Sequence, residues 1–297
     1  MRTFPFETWD VFTETAFAGN PLAVVTYAQG LSDAEMQAIA REFNLSETTF
    51  ILPPDGPDHD ARVRIFVPAH EVPFAGHPTI GTALSIASAR KSYEPLTLRL
   101  EAGDFPLWFD TSGPMPRATF RNPNPPKAWD VEAVDAVTLR LGSAFGLTPG
   151  AVAVGAAAPC IAGAGNDFLY AQVGAADLAA INPDAAALGE IHRDVAVGVV
   201  AYAPSNEADT DYVVRVFAPA AGIFEDPATG SAACALPAVV ARAGALKDGA
   251  HSWRIRQGVE MGRPSDIHAA FTLTDGRVGE VEINGAAVHV QSGAMSF

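Results

Sequence analysis

Short apolar runs, many alternating with polar residues and most stopped by glycine or proline, dominate the chain and predict strands. In the first half they fall at residues 9–12, 22–27, 49–52, 62–66 and 96–101. In the second half they fall at 194–202, 212–217, 270–273 and 288–291. The helical period is rarer: it predicts helices over 33–43, capped by Ser32, and over 131–141. Two Ala-rich stretches, 82–90 and 232–245, predict one more helix in each half. Many strands with few helices argue for an α+β fold in which each sheet curls around a helix. They do not read as an alternating βαβ nucleotide-binding domain, and neither Gly-x-Gly-x-x-Gly after a strand nor Gly-x-x-x-x-Gly-Lys-Ser/Thr occurs.

The pattern repeats itself. Arg64-Ile65-Phe66-Val67-Pro68-Ala69 returns as Arg215-Val216-Phe217-Ala218-Pro219-Ala220, 151 residues later. Each copy reads as a strand stopped by proline, then a Gly/Pro-rich turn, then the Ala-rich helix. The first turn is Pro73-Phe74-Ala75-Gly76-His77-Pro78-Thr79-Ile80-Gly81, and the second is Glu225-Asp226-Pro227-Ala228-Thr229-Gly230-Ser231-Ala232. A duplicated, pseudo-symmetric two-domain architecture follows, with the Pro-rich segment 122–126 as its linker.

Composition narrows the partners. With 297 residues, 48% apolar and 18% charged, the chain is too hydrophobic to be disordered and long enough for two ordinary domains. A net charge of -15 repels phosphate backbones, so no nucleic-acid partner is expected. An anionic substrate then needs a pocket whose local field opposes the global one. Cys160 and Cys234 form no disulfide framework and no Cys-x-x-Cys pair. The seven histidines show no metal-ligand spacing, so no metal is expected. The first ten residues do not read as a signal peptide, and the Ala/Gly-rich stretch 151–165 is broken by Pro159 and shorter than a membrane span. A cytoplasmic protein with no membrane partner is the expectation.

Candidate chemistry gathers at the two turns. A glycine turn feeding a helix leaves backbone N–H groups at the positive end of the helix dipole, a cradle for a carboxylate that needs no arginine. Two such turns related by pseudo-symmetry are expected to face one another across a cleft between domains. The plainer alternative is that the glycines only let helix and strand pack closely. His77 lies in the first turn and Asp226 in the second, near corresponding positions of the repeat. Asp226 can equally be an Asx-turn or capping residue. Glu47 falls where the first helix ends and an apolar strand begins, a junction that can desolvate a carboxyl group and suit it to proton transfer. Local sequence allows a surface glutamate there just as well. Cys234, near the start of a helix, reads as a small core residue, and no Gly-x-Ser-x-Gly surrounds Ser231.

Taken together, Phe17-Ala18-Gly19-Asn20-Pro21-Leu22-Ala23-Val24, Ser46-Glu47-Thr48, the Phe74–Thr79 and Glu225–Ala232 turns, and Gln257-Gly258-Val259-Glu260-Met261-Gly262-Arg263-Pro264-Ser265 resemble the phenazine-biosynthesis isomerase-like (PhzF-like) family. The resemblance runs in order along essentially the whole chain. It implies the diaminopimelate-epimerase-like fold: two domains, each a barrel-like sheet around a central helix, with the active site between them. The first domain would cover 1–120, completed by a strand near 280–297, and the second 129–279. It implies cofactor-independent proton transfer and a homodimer. By similarity Glu47 is the general acid/base, and His77 and Asp226 belong to its proton network. Asn20, Gly76, Gly230 and Ser231 would bind the substrate. Racemases of this fold use two thiols, one before the glycine of each turn; here those positions are Ala75 and Thr229, so two-thiol racemisation is disfavoured.

The expected function is therefore an isomerase moving a proton within a small unsaturated carboxylic acid, without cofactor. An amino-acid or hydroxy-acid epimerase lacking the thiol pair is the enzymatic alternative. A non-catalytic small-ligand binder is the alternative from another class.

Overall fold

The computed structural model describes residues 1–193 and 195–297. They divide into two compact units, Met1–Arg121 with Asn284–Phe297, and Asn122–Ile283.

In the first unit β1 (Thr3–Val11) and β2 (Asn20–Val25) pair antiparallel, and α1 (Asp33–Phe43) crosses over to β3 (Glu47–Leu52), which runs parallel to β2. β4 (Ala61–Phe66) pairs with β3, and the short β5 (Glu71–Val72) folds back on β4. Next come α2 (Gly76–Arg90), β6 (Leu96–Leu100), β7 (Gly103–Asp110) and β8 (Arg117–Arg121). The C-terminal strand Glu282–Ser296 pairs with both β1 and β8, closing an eight-stranded barrel.

α2 fills that barrel. It is buried from Gly76 to Ala87 and touches β1, β2, β3, β6 and β8. Its residues are small or apolar on every side, the signature of a helix with no solvent face. Fit is close: a Cβ on Gly81 would come within 2.6 Å of Leu22 Cδ2 and 2.7 Å of Val11 Cγ2. α1 lies outside the barrel, packing Met36, Ile39 and Ala40 with Phe50 and Phe66. Ser32 starts it with a reciprocal capping box to Glu35, where the sequence places it.

The second unit repeats the plan. β9 (Lys127–Asp130), α3 (Val134–Ala144), β10 (Cys160–Gly163), β11 (Asp167–Gln172), α4 (Ala175–Ala180) and α5 (Ala185–His192) lead to β12 (Gly198–Pro204). β13 (Tyr212–Ala218), β14 (Ile223–Asp226), α6 (Gly230–Arg242), β15 (Gly249–Gln257), β16 (Ser265–Thr274) and β17 (Arg277–Val278) complete it before the last strand, β18. The parallel β11–β12 and β13–β15 pairs match β2–β3 and β4–β6, and the intervening antiparallel pairs match as well. α6 is the counterpart of α2 and packs on β9, β10 and β16. The fold is the α+β diaminopimelate-epimerase-like architecture, a barrel-like sheet around a central helix in each unit.

The repeated hexamer encodes a repeated ion pair. Arg64 forks onto Glu71 at 2.7 and 2.5 Å, and Arg215 forks onto Glu225 at 2.8 and 2.9 Å. Each guanidinium also lies over the phenylalanine two residues on, Phe66 or Phe217. The fork ties the long strand to the short strand that leads into the turn, and so aims each turn at its helix.

Several expectations shift. The helix expected over 82–90 starts at Gly76 and the one over 232–245 at Gly230, so His77 and Ser231 belong to first helical turns and not to loops. Pro78 does not end the helix, because a first-turn N–H has no intrahelical acceptor to lose. The forks align Glu71 with Glu225 and the helix starts align Gly76 with Gly230, an offset of 154. His77 therefore corresponds to Ser231, and Asp226 to Val72; three added residues before β14 mislead the sequence alignment. The helix expected over 131–141 runs Val134–Ala144, since Val131 is taken into the core. Asp194, at the head of the strand expected over 194–202, lies outside the described residues; the strand runs Gly198–Pro204. Among the described residues no helix is long and apolar enough to cross a membrane.

Replacing Arg215 with Met leaves the buried Glu225 carboxylate uncompensated and is expected to destabilise the protein by about 3–5 kcal/mol. Arg64→Met, at the more exposed fork, is expected to lose only about 1 kcal/mol. Urea unfolding of both variants checks the ordering, and equal losses would show that burial does not set it.

Candidate active site

Strand alternation brings the first functional group into the barrel. Glu47 and Thr49 share a face of β3, and Thr49 meets Thr82 of α2 at 2.9 Å between hydroxyls. Glu47 therefore faces the start of the same helix, where its Oε2 lies 3.6 Å from Nδ1 of His77. The glutamate side chain is 14% exposed and the imidazole 3%. Glu47 is thus a partly buried group facing a helix start, not a surface residue beside a turn.

His77 is held neutral. Burial pushes its pKa down from 6.5 to about 3. The 3.6 Å approach is therefore between a carboxyl group and an uncharged ring, not an ion pair. Asn20 fixes the tautomer: its Nδ2, a donor, lies 3.2 Å from His77 Nδ1, which must accept. The ring proton then sits on Nε2, which has no hydrogen-bond partner among the described residues. Asn20 is fully buried and follows Gly19, whose φ of +67° and whose missing Cβ, which would stand 2.3 Å from Val11 O, leave no room for another residue. Expected at the substrate, Asn20 directs its amide nitrogen to the imidazole.

No side chain caps α2, whose N-cap is Ala75. Backbone donors at its first turn are left to the positive end of the helix, as the glycine turn suggests.

In the second unit Asp226 is buried at the end of β14, and Thr229, the N-cap of α6, turns its hydroxyl onto Asp226 Oδ2 at 2.5 Å. Gly230 is the first residue of α6 and Ser231 the second, half-buried. Sequence reasoning did not single out Gln257 as a functional side chain, although its motif was in view; buried, it hydrogen-bonds the Asp226–Thr229 loop. Gly258 beside it has φ +75°, and a Cβ there would stand 2.6 Å from Pro227 O.

The thiols are placed for packing. Cys160 opens β10 and Cys234 lies inside α6; both are buried and free. Burial pushes them up to about 11 and about 12, so neither is a thiolate near neutral pH. Among the described residues no group of three or more His, Cys, Asp or Glu side chains is arranged to hold a metal ion.

A barrel-and-helix unit made twice sets a carboxyl group beside a neutral imidazole at one helix start and buried Asp226 near the other, with no thiol before either glycine. Residues 9–293 match the family model described as phenazine biosynthesis-like protein. The chain belongs to that family and, with it, to the isomerases. It is 37% identical to an uncharacterised isomerase of Mesorhizobium japonicum over 99% of both chains. It is 36% identical to the trans-2,3-dihydro-3-hydroxyanthranilate isomerase of Pseudomonas aeruginosa over 93% of both. Its fold matches a PhzF-family phenazine biosynthesis protein of Bacillus anthracis with a TM-score of 0.88, at 23% identity and covering 100% of each chain.

Because His77 has a native pKa below that of the unfolded chain, the unfolded state takes up this proton first as pH falls. The neutral ring's contribution is whole above pH 6.5 and drains as pH drops from 6.5 toward about 3. His77→Gln is expected to lose less urea resistance than the parent on going from neutral to mildly acidic pH. An identical loss in both proteins would show that the buried ring is not neutral.

Proposed function

We propose that this protein is a cofactor-independent isomerase that moves a proton within a small unsaturated carboxylic acid, with Glu47 as the general acid/base. The observation that carries the reading is the Glu47 carboxyl 3.6 Å from a buried imidazole that stays uncharged. A ring whose pKa has dropped to about 3 is a poor base near neutral pH, so proton transfer at this spot falls to the carboxyl group. His77 serves instead as a fixed donor through Nε2–H. Glu47 takes a proton from one carbon of the substrate and returns it to another. The charge that develops between those steps is met by the His77 donor and the first-turn N–H groups of α2. Gly76 lets the substrate approach that turn.

Asp226, Gly230 and Ser231 are proposed, on the family resemblance, as further groups of the same reaction: Asp226 in the proton network, the others in holding the carboxylate. The named activity of the Pseudomonas relatives makes a dihydro-hydroxyanthranilate the first substrate to try. A homodimer in the cytoplasm goes with the resemblance. Buried Cys160 and Cys234, with Ala75 and Thr229 before the glycines, leave the two-thiol epimerase reading without its reactive groups.

Glu47→Gln is expected to slow deuterium wash-in from D₂O by about 10²–10⁴-fold, read by mass spectrometry of the acid. Exchange at the parent rate would remove Glu47 from the mechanism. An ultraviolet change accompanying turnover marks double-bond migration; optical rotation alone would mark epimerisation.

A further inference from the structure

Four hydrogen bonds in the second unit form a closed set that the roles above leave unused. Gln257 Nε2 donates to the backbone oxygen of Asp226 at 2.7 Å and to Thr229 Oγ1 at 3.0 Å. Gln257 Oε1 accepts from the backbone N–H of Thr229 at 3.0 Å. Thr229 Oγ1 donates to Asp226 Oδ2 at 2.5 Å.

With the Asp226 carboxyl ionised, every direction in this set is forced. A carbonyl oxygen only accepts and a backbone N–H only donates, so the Gln257 amide fits one way round. Its nitrogen then also donates to the threonine hydroxyl. That hydroxyl has a single hydrogen, and the carboxyl oxygen takes it. Asp226 Oδ2 is thereby engaged as an acceptor by Thr229, and Thr229 is itself held by Gln257, which is 2% exposed.

We propose that Thr229 and Gln257 are positioning residues of the reaction. Gln257 sets the direction of the Thr229 hydroxyl, and that hydroxyl holds the Asp226 carboxyl in the orientation the reaction uses. The inference rests on the reading that Asp226 takes part in catalysis.

The test uses the full-length protein with trans-2,3-dihydro-3-hydroxyanthranilate. Thr229→Val keeps the shape and removes the hydroxyl; it is expected to lower kcat by about 10–100-fold with KM unchanged. Thr229→Ser should restore the parent kcat. Gln257→Met, which removes the amide at similar length, should reproduce the Thr229→Val loss and serves if that variant does not fold. Combined with Asp226→Asn, Thr229→Val should add no further loss, because it acts through the carboxyl group. Parent kcat in Thr229→Val, or a full multiplicative loss in the double variant, overturns the proposal. Crystal structures of the parent and Thr229→Val decide separately from activity: the Asp226 carboxyl should rotate in the variant, and an unmoved carboxyl overturns the positioning role. A parent that does not turn over the acid, with a carboxyl that still rotates, sinks the substrate reading and supports the hydroxyl's hold on Asp226.

Discussion

A helix enclosed by a closed sheet offers polar chemistry only at its ends. Every lateral face of α2 is packed against strands, so a charged group along its length would be buried without water. The start of the helix is different. Its first N–H groups have no intrahelical acceptors and carry the positive end of the dipole, so they favour an anion or a polar ligand. His77 in the first turn, Gly76 before it and Ala75 as an uncapping N-cap make sense under this one constraint. So does Glu47, brought to the same end by the strand that Thr49 ties to Thr82.

Duplication supplied two such helix starts, and the copies have since diverged around a shared frame. The Arg64–Glu71 and Arg215–Glu225 forks are the frame, and each carries the chain into its turn in the same way. Beyond them the chemistry differs. Val72 in one copy answers Asp226 in the other, His77 answers Ser231, and Ala75 answers Thr229. One unit joins a carboxyl group to a neutral imidazole; the other joins a carboxyl group to a hydroxyl and an amide. At the start of α2 burial holds His77 neutral, so in a strongly acidic chain this helix start keeps the positive end of its dipole unopposed by the imidazole.

Burial sets the character of the remaining reactive groups. The same loss of water that keeps His77 uncharged keeps Cys160 and Cys234 as thiols. Sulfur in this protein fills space, and Asn122 donates to Cys234 at 3.5 Å as part of that packing.

The sequence by itself determined the class of fold, the duplication and the capped helix α1, and it supplied the candidate acid–base residues. Each of these rests on local features: strand alternation, a Ser-x-x-Glu cap, and a hexamer whose arginine makes the same short-range fork twice. Tertiary structure alone decided the rest. Whether Gly-His-Pro-Thr is a loop or a helical turn depended on the barrel closing around it, which favours the compact helix over a solvated turn. Which residue matches Asp226 depended on three residues added between the second hexamer and its turn, and only the forks fix that register. That Asn20 turns to His77, and that Gln257 governs Thr229, could not be read from spacing, because the partners lie 57 and 28 residues apart and meet only when each helix start packs against the strand carrying its partner.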